Sequence, residues 1–592
     1  MNRYRTHFAA ELADVAAGEE VKVAGWVARR RDHGGIAFLD IRDSSGIIQV
    51  VIDPSRLPAV DELRMEYTIS VTGEVSPRPE GTVNPDLATG AIEVQVSDVE
   101  ILSPAETLPF MLDDRTEIDE RTRLQYRYLD LRRPRMAANL RARSRATAAI
   151  RRTLDDAGFL EVETPTLIRS TPEGARDMLV PSRLRLGDFY ALPQSPQLFK
   201  QLLMISGVER YFQIARCYRD EDFRSDRQAE FTQLDLEGAF WTAEEVQAAV
   251  EATLVAATRE LRGEAPSQPF PRLTWHEAME RYGTDKPDIR FGMEIVDVSR
   301  VFKNTEFGVF SAALESGGTV RGINAGARSL SRAEADGLIA RAKDLGARGL
   351  VWIQVEDDGS LRSPVAKFLS DDEQSGLISA LAAGPGDVIL IAADRWKTAL
   401  TVLGGLRNHL GRPSDHSELA FVWVIDFPLF EEEDGKLTFS HHPFTSPMSI
   451  EEMRETPESA LSNAYDAVLN GVELGSGSIR IHDPTVQRQV FEILGIDATT
   501  AERRFGWFLD ALKYGTPPHG GFAFGIDRLV MILQNEASIR EVIPFPKTQT
   551  GVDPLTEAPA PVEESQLTEL GIQLRPEVKA ARDAAEEPAG ED

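Results

Sequence analysis

The sequence predicts a multidomain α+β protein with a small N-terminal β-barrel, and three observations predict it. A chain of 592 residues is far longer than one hydrophobic core supports. Residues 20–105 alternate apolar and polar side chains in short runs, EVKVAGWVARRR, GIAFLDIRD, GIIQVVID, YTISVTGEV and AIEVQVSDVEIL, separated by Gly, Pro and Asp turns. Mixed strand and helix patterns over 288–418 interrupt a stretch whose strand texture resumes at FVWVIDFPLF (421–430).

Taken in order, the first runs suit a small closed barrel; the OB-fold is the leading candidate, and the pattern alone does not separate it from other small barrels. Residues 104–133 carry prolines and then a charge-rich helical pattern, and read as a hinge. A long helix is expected over 137–157, closed by Gly158, with FLEVETPTLI as a strand running to Pro165. RYFQIARCYRDEDFRSDRQAEFTQLDLEGAF (210–240) reads as two strands joined by a polar loop. Residues 288–418, with GTVRGINAG, GLVWIQVED and DVILIAAD as strands and SRAEADGLIARAKDLG and KTALTVLGGLRNHLG as helices, form an inserted α/β module. YDAVLNGVELGSGSIRIHD (465–483) reads as a helix followed by a glycine-interrupted strand, and GGFAFGIDRLVMIL (520–533) as a strand entering a helix. Beyond 556 the composition turns to Pro, Ala, Glu and Asp, and a loose tail is expected.

Composition sets broad limits. Hydrophobic residues at 42% and charged residues at 27% describe a soluble globular protein. No run approaches the length a signal peptide or membrane span needs, so the reading is cytosolic with no membrane partner. The single cysteine, Cys217, forms no internal disulfide. A net charge of −30 argues against a nucleic-acid partner only as a sum, because arginines cluster at Arg29–Arg31 and through 121–152. Each cluster is either a phosphate contact or a solvated face.

No GxxxxGK[ST], strand-following GxGxxG or kinase-type set occurs, so nucleotide chemistry must use another fold. In the 210–240 pair one face carries Phe212, Ile214, Tyr218, Leu234 and Leu236. The other carries Arg219, Glu221, Phe231, Gln233, Asp235 and Glu237, either a structural ion-pair lattice or the floor of a polar-ligand site. In HHPFTSP (441–447), neighbouring histidines point apart, so at most one of them is expected to face a ligand. Glu473 and Arg480 have opposite strand parity, and a bulge at Gly475 or Gly477 would bring both to one face. Asp527 and Arg528 open a helix whose N-terminus favours phosphate.

These residues resemble class II aminoacyl-tRNA synthetases. The helix and strand ending at Pro165 look like the family's motif 1, YRDED (218–222) like motif 2, and GIDR (525–528) like motif 3. TPEGARDMLVPSR (171–183), QSPQLFKQLLM (194–204), FTQLDLE (231–237), HHPFTSP and GVELGSGSIRIH (471–482) resemble bacterial aspartyl-tRNA synthetases in particular. The resemblance implies an OB-fold anticodon domain at 1–106, a hinge at 107–136, and an antiparallel-sheet catalytic domain with flanking helices at 137–287 and 419–556. It also implies an inserted GAD-type domain at 288–418 and leaves 557–592 as an acidic, partly disordered extension. Motif 1 implies a homodimer.

For the reaction, the resemblance implies activation of L-aspartate by ATP with Mg2+, then transfer to tRNA. It assigns Arg219 and Arg528 as catalytic. It assigns ATP to Arg219, Asp220, Glu221, Gln228, Phe231, Glu473, Gly525, Ile526, Asp527 and Arg528, and the metal to Asp466 and Glu473. For aspartate it implies Glu173, Gln197, Lys200, Arg219, Asp235, His441 and Arg480, with Arg480 bidentate to the β-carboxylate. Phe38, Gln49 and Glu93 fall at anticodon-reading positions, although Phe38 also suits a barrel core. His33 and Gly81 accompany enzymes that charge both tRNA(Asp) and tRNA(Asn). The rivals are a strictly tRNA(Asp)-specific enzyme, an asparaginyl- or lysyl-type synthetase, and a non-catalytic RNA-binding paralogue. Arg480 with Lys200 argues for a carboxylate substrate, and the presence of both Arg219 and Arg528 argues for catalysis.

Overall fold

Five strands, Glu20–His33, Ile36–Arg42, Ile47–Ile52, Thr68–Pro77 and Ile92–Ser103, close into a barrel in the computed structural model, which describes residues 2–170 and 174–586. The first strand pairs with both the second and the fourth, which completes the closure. Alternation decides what the barrel holds: Val21, Val23, Leu39, Ile41, Ile48, Val50, Ile69, Val71 and Val94 fill it. Phe38 falls between inward-facing Ala37 and Leu39, outside the barrel core and only partly buried. The unit containing the barrel ends at Ile118.

The second unit begins at Asp119 and is built on an eight-stranded sheet. In spatial order its strands are Arg272–Thr274, Phe421–Ile425, Ala464–Leu469, Val472–Ile479, His519–Gly525, Glu230–Ala239, Arg210–Tyr218 and Leu160–Glu161. Pairing is antiparallel except for the parallel pairs at the two ends.

One face of this sheet packs on helices Pro134–Asp156 and Ala243–Arg262. Ala142, Ala146, Ile150 and Leu154, each four residues from the last, meet Val246, Val250 and Leu254 over Leu234, Leu236, Phe522 and Phe524. Each such Val, Leu or Ile side chain contributes about 1.5–3 kcal/mol on burial. The first helix starts at Pro134, three residues earlier than the sequence suggests, because proline suits a first helical turn; Gly158, at φ +77°, turns the chain out of its last one. Thr242 and Glu245 form a capping box on the second.

The insert carries a sheet in the order Val296–Asp297, Thr319–Ala327, Asp387–Asp394, Val351–Val355, Leu361–Arg362, antiparallel throughout. Val388, Leu390 and Ala392 enter one core and Ile389 and Ile391 another, so this sheet is covered on both faces. Helices Arg332–Asp344 and Trp396–Gly411 stand where the periodicity places them.

Two expectations differ from the structure. Residues 464–469 form a strand rather than a helix, joined to Val472–Ile479 through Asn470 and Gly471, both at positive φ. An Asn-Gly pair of this kind closes a two-residue hairpin, and burial on both faces hid the strand's alternation. The stretch expected to be a loose tail contains helices Glu564–Glu569 and Pro576–Glu586.

Candidate active site

The polar face of the eight-stranded sheet floors a cavity of about 930 Å³. Strand parity puts Phe231, Gln233 and Asp235 on this face while Leu234 and Leu236 go to the core. The adjoining hairpin supplies Asp466, Glu473 and Arg480. Its register slips at Leu474, between the pairs Ala467–Gly475 and Val468–Glu473, one residue from the expected bulge, and Glu473 and Arg480 both line the cavity. Gly475 and Gly521 admit neighbouring protein rather than a ligand. A Cβ on Gly475 would meet Ala523 O at 2.0 Å, and one on Gly521 would meet Glu237 Oε2 at 1.8 Å.

At the centre lies a buried quartet of charges. Arg480 donates from Nε to Glu237 Oε1 at 2.9 Å, from Nη2 to Glu237 Oε2 at 3.3 Å, and from Nη1 to Ser478 Oγ at 2.8 Å. Lys200 Nζ stands 2.9 Å from Asp235 and 3.2 Å from Glu237. Burial pushes the Glu237 carboxyl up, but Arg480 and Lys200 outweigh it and hold it at about 2. Burial raises Asp235 to about 6 against the pull of Lys200, and among the described residues Asp235 Oδ1 has no hydrogen-bond partner. The edge left for a bidentate substrate contact is not Nε–Nη2, which Glu237 already holds. Only the Nη1–Nη2 end can still receive a carboxylate.

Both histidines of HHPFTSP line the cavity, where at most one is expected. His441 Nε2 lies 3.1 Å from Asp466 Oδ1; burial works against its protonation, but Asp466 outweighs burial and raises it. His442 is driven down to about 3 by burial and by Arg480 and Lys200.

The phosphate-type residues gather in the same cavity. Arg219 stacks over Phe231, 5.1 Å from the ring centroid. Arg528, from the helix Ile526–Leu533, donates to Glu473 O at 2.6 Å and to Asp226 Oδ2 at 3.2 Å. Glu221, Gln228, Gly525 and Gln197 also line it. Gln228 spends its amide on both backbone groups of Lys547.

Two expected ATP contacts fall outside the cavity lining, and a third lines it with its carboxylate already taken. Asp220 lies outside the cavity lining, half exposed and 3.4 Å from Arg176, because it falls in the loop beyond the strand end. Ile526 is buried in the hydrophobic core beneath the sheet. Asp527 lines the cavity, but Arg143 and the backbone N–H of Thr232, at 2.8 Å, occupy its carboxylate. Glu173 lies outside the described residues.

Asp466 and Glu473 are the expected metal ligands. Burial raises the Asp466 carboxyl and the neighbouring Glu473 charge adds to this, a repulsion a divalent cation would relieve. Lys286 Nζ is 2.8 Å from Glu473, and its charge, outweighing burial, holds Glu473 down. Among the described residues no group of three His, Cys, Asp or Glu side chains forms a metal cage. Two hard carboxylates suit Mg2+, which is commonly held by one or two carboxylates plus substrate phosphates.

The sequence placed Glu237 on the polar strand face without a specific contact and did not single out Ser478, Lys286 or Arg143. The parity of the 210–240 strand put Glu237 on the right face, so that signal was present; the other contacts join residues far apart in sequence.

On the barrel, Gln49 Nε2 donates to Glu93 Oε2 at 2.9 Å, and Arg31 donates to Gln49 Oε1 at 3.0 Å and to Asp40 at 2.9 Å. Phe38 pairs in register with Arg31, so Phe38, Gln49 and Glu93 share one outer face with a basic residue.

A family model described as tRNA synthetases class II (D, K and N) matches residues 119–549, and one described as an OB-fold nucleic acid binding domain matches residues 21–102. An aspartate–tRNA(Asp/Asn) ligase of Moorella thermoacetica is 53% identical over 580 residues, covering 96% of each chain. Its counterpart in Bacillus subtilis is 48% identical, covering 97% of this chain and 99% of the relative. The crystal structure of asparaginyl-tRNA synthetase from Pyrococcus horikoshii complexed with asparaginyl-adenylate shares the fold, with a TM-score of 0.55 at 19% identity, covering 90% of this chain and 95% of that one.

Proposed function

We propose, from the premise that this chain belongs to the class II tRNA synthetases (D, K and N), that it activates L-aspartate with ATP and transfers it to the 3′ end of tRNA(Asp) and tRNA(Asn). One observation carries the reading. A single cavity holds Arg219, Arg528, Lys200 and Arg480, four cations for a substrate pair that brings a triphosphate and two carboxylates.

Arg219 binds the α-phosphate and Arg528 the γ-phosphate, while adenine stacks on Phe231, whose ring Arg219 already covers. Glu221 and Gln228 border the nucleotide, and Gly525 lets it approach the helix start. The Nη1–Nη2 end of Arg480 and Lys200 receive the β-carboxylate, with His441 beside them; Asp235, Gln197 and Glu173 receive the ammonium. The α-carboxylate of aspartate then attacks the α-phosphorus in line, and pyrophosphate leaves. Positioning and charge stabilisation supply the catalysis, and no protein nucleophile is needed. The terminal ribose hydroxyl of tRNA next attacks the aspartyl carbonyl and releases AMP. Asp466 and Glu473 would hold Mg2+, which when bound neutralises phosphate charge. Asp527 positions: it ties the helix carrying Arg528 to Arg143 and to the strand carrying Phe231.

Phe38, Gln49 and Glu93 read splayed anticodon bases by stacking and hydrogen bonding. The enzyme works in the cytoplasm as a twofold homodimer. Exposed Leu160 and Leu167, at 58% and 53%, flank Pro165 at the sheet edge and support that interface. Among the described residues no helix is long and apolar enough to cross a membrane.

The test is ATP–pyrophosphate exchange with aspartate, asparagine, glutamate and lysine in parallel, followed by aspartylation of tRNA transcripts. Exchange with aspartate alone is expected. Exchange with asparagine or lysine at comparable efficiency would overturn the substrate assignment.

A further inference from the structure

His519 lies at the start of the strand His519–Gly525, fully buried, on the same strand face as Ala523 and Gly525 but not itself lining the cavity. Its Nδ1 is 2.8 Å from the carbonyl oxygen of Pro517, a group that can only accept. That contact puts the ring proton on Nδ1. Burial pushes the His519 imidazole towards its neutral form, so Nε2 carries a lone pair. Gln201 Nε2 stands 3.0 Å from that nitrogen and must donate to it. The Gln201 carbonyl is thereby turned the other way, where it accepts from Gln197 Nε2 at 3.1 Å.

We infer that His519 and Gln201 are positioning residues that fix the amide of Gln197 with its carbonyl, not its NH2, presented to the amino group of the substrate. Each link has one permitted polarity once Pro517 is fixed. Gln201 is fully buried and Gln197 is 7% exposed on the cavity wall, so water does not offer an easy alternative partner. Without the chain, either end of the Gln197 amide could face the cavity, and a donor facing an ammonium repels it. The inference rests on the reading that Gln197 touches the ammonium of aspartate.

The test is a double-mutant cycle in the full chain, read as KM for aspartate and KM for ATP in pyrophosphate exchange, with thermal unfolding alongside. His519→Leu is expected to raise the aspartate KM roughly 5- to 50-fold, since an oriented bond to a charged group is lost, and to leave the ATP KM within twofold. Gln201→Leu should do the same and carries the test if His519→Leu does not fold. His519→Gln, which can set an acceptor near the Nε2 position, should recover part of the loss. Gln197→Glu supplies an accepting oxygen in either orientation but sets it against the Gln201 carbonyl. In that background His519→Leu should therefore leave the aspartate KM unchanged or lower it. A purely structural role predicts the same factor in both backgrounds, and that result overturns the relay. If Gln197→Ala leaves the aspartate KM unchanged, the contact with the ammonium is what fails, and the relay falls with it.

Discussion

Glu237 and Arg480 form a buried pair, with Arg480 donating from both Nε and Nη2 to the carboxylate. Because Glu237 also stands 3.2 Å from Lys200 Nζ, one carboxylate sets the position of both cations proposed for the aspartate side chain. The arrangement separates holding from binding: one edge of the guanidinium is fixed by protein and the other end is left for substrate.

Arg480→Leu is therefore expected to do two things. Aspartate-dependent exchange should fall by more than about a thousandfold, since sites built around buried polar contacts discriminate by roughly 10⁴–10⁵. Stability should fall as well, because removing one partner of a buried pair costs about 3–5 kcal/mol and Glu237 keeps only Lys200. Circular dichroism should still report a folded chain, with unfolding at lower temperature. Exchange within tenfold of the parent would refute the role given to Arg480.

The pH dependence of aspartate use follows from Asp235, which burial raises to about 6 from 3.8. An ammonium pairs only with the ionised carboxylate, so kcat/KM for aspartate should fall about tenfold per pH unit below about 6, while kcat/KM for ATP changes little. The stability signs are opposite for the two carboxylates. The contribution of Asp235 is present at low pH and is lost as pH rises from 3.8 through about 6. That of Glu237 is present above 4.5 and is lost as pH falls towards about 2. An aspartate kcat/KM profile flat from about pH 5 to 7 would contradict an ionised Asp235 as ammonium partner.

Arg219→Ala and Arg528→Ala should each abolish adenylate formation while tRNA affinity in filter binding stays near that of the parent, since the anticodon patch lies on the barrel. The two variants should differ in stability. Arg528 bonds to Glu473 O and Asp226, so its loss releases loop contacts, whereas Arg219 stacks on Phe231 and leaves a smaller gap. An equal loss of tRNA affinity would show that the substitutions act through folding.

Much of this was legible in the sequence because it rests on short-range pattern. The barrel runs alternate cleanly, Gly158 closes its helix, and the parity of 230–239 sorts Phe231, Gln233, Asp235 and Glu237 from Leu234 and Leu236. What was not legible depends on contacts between distant segments. The strand Ala464–Leu469 is buried on both faces, so its residues carry no period-two signal, and only Asn470-Gly471 marks the hairpin. Lys286 reaches Glu473 from the root of the insert. Arg143 reaches Asp527 across the helix–helix packing. GIDR does not act as a unit, because the turn into its helix sends Ile526 into the core and Arg528 to the cavity.

The choice of tRNA rests on His33 and Gly81. His33 ends the first barrel strand opposite Ile36 and is exposed; two residues along the same strand from Arg31, it shares that residue's face, where Arg31 meets Gln49. Gly81 is exposed in the loop after Arg78, at φ +81° with nothing within 4 Å of an added Cβ. The two anticodons differ only at their third base, so a small residue and an adaptable donor or acceptor beside it tolerate both. The parent should aspartylate tRNA(Asn) with an efficiency no more than about a thousandfold below that for tRNA(Asp). His33→Leu and Gly81→Lys should each reduce charging of tRNA(Asn) more than that of tRNA(Asp), by roughly tenfold in the ratio. The positive φ makes a control necessary, since any side chain at position 81 strains the backbone by about 1–2 kcal/mol. Gly81→Ala carries that strain without the bulk or charge of lysine. If Gly81→Ala shifts the ratio as far as Gly81→Lys does, loop geometry rather than contact with the base sets the tolerance. If the parent itself charges tRNA(Asn) more than a thousandfold less well than tRNA(Asp), the enzyme is specific for tRNA(Asp).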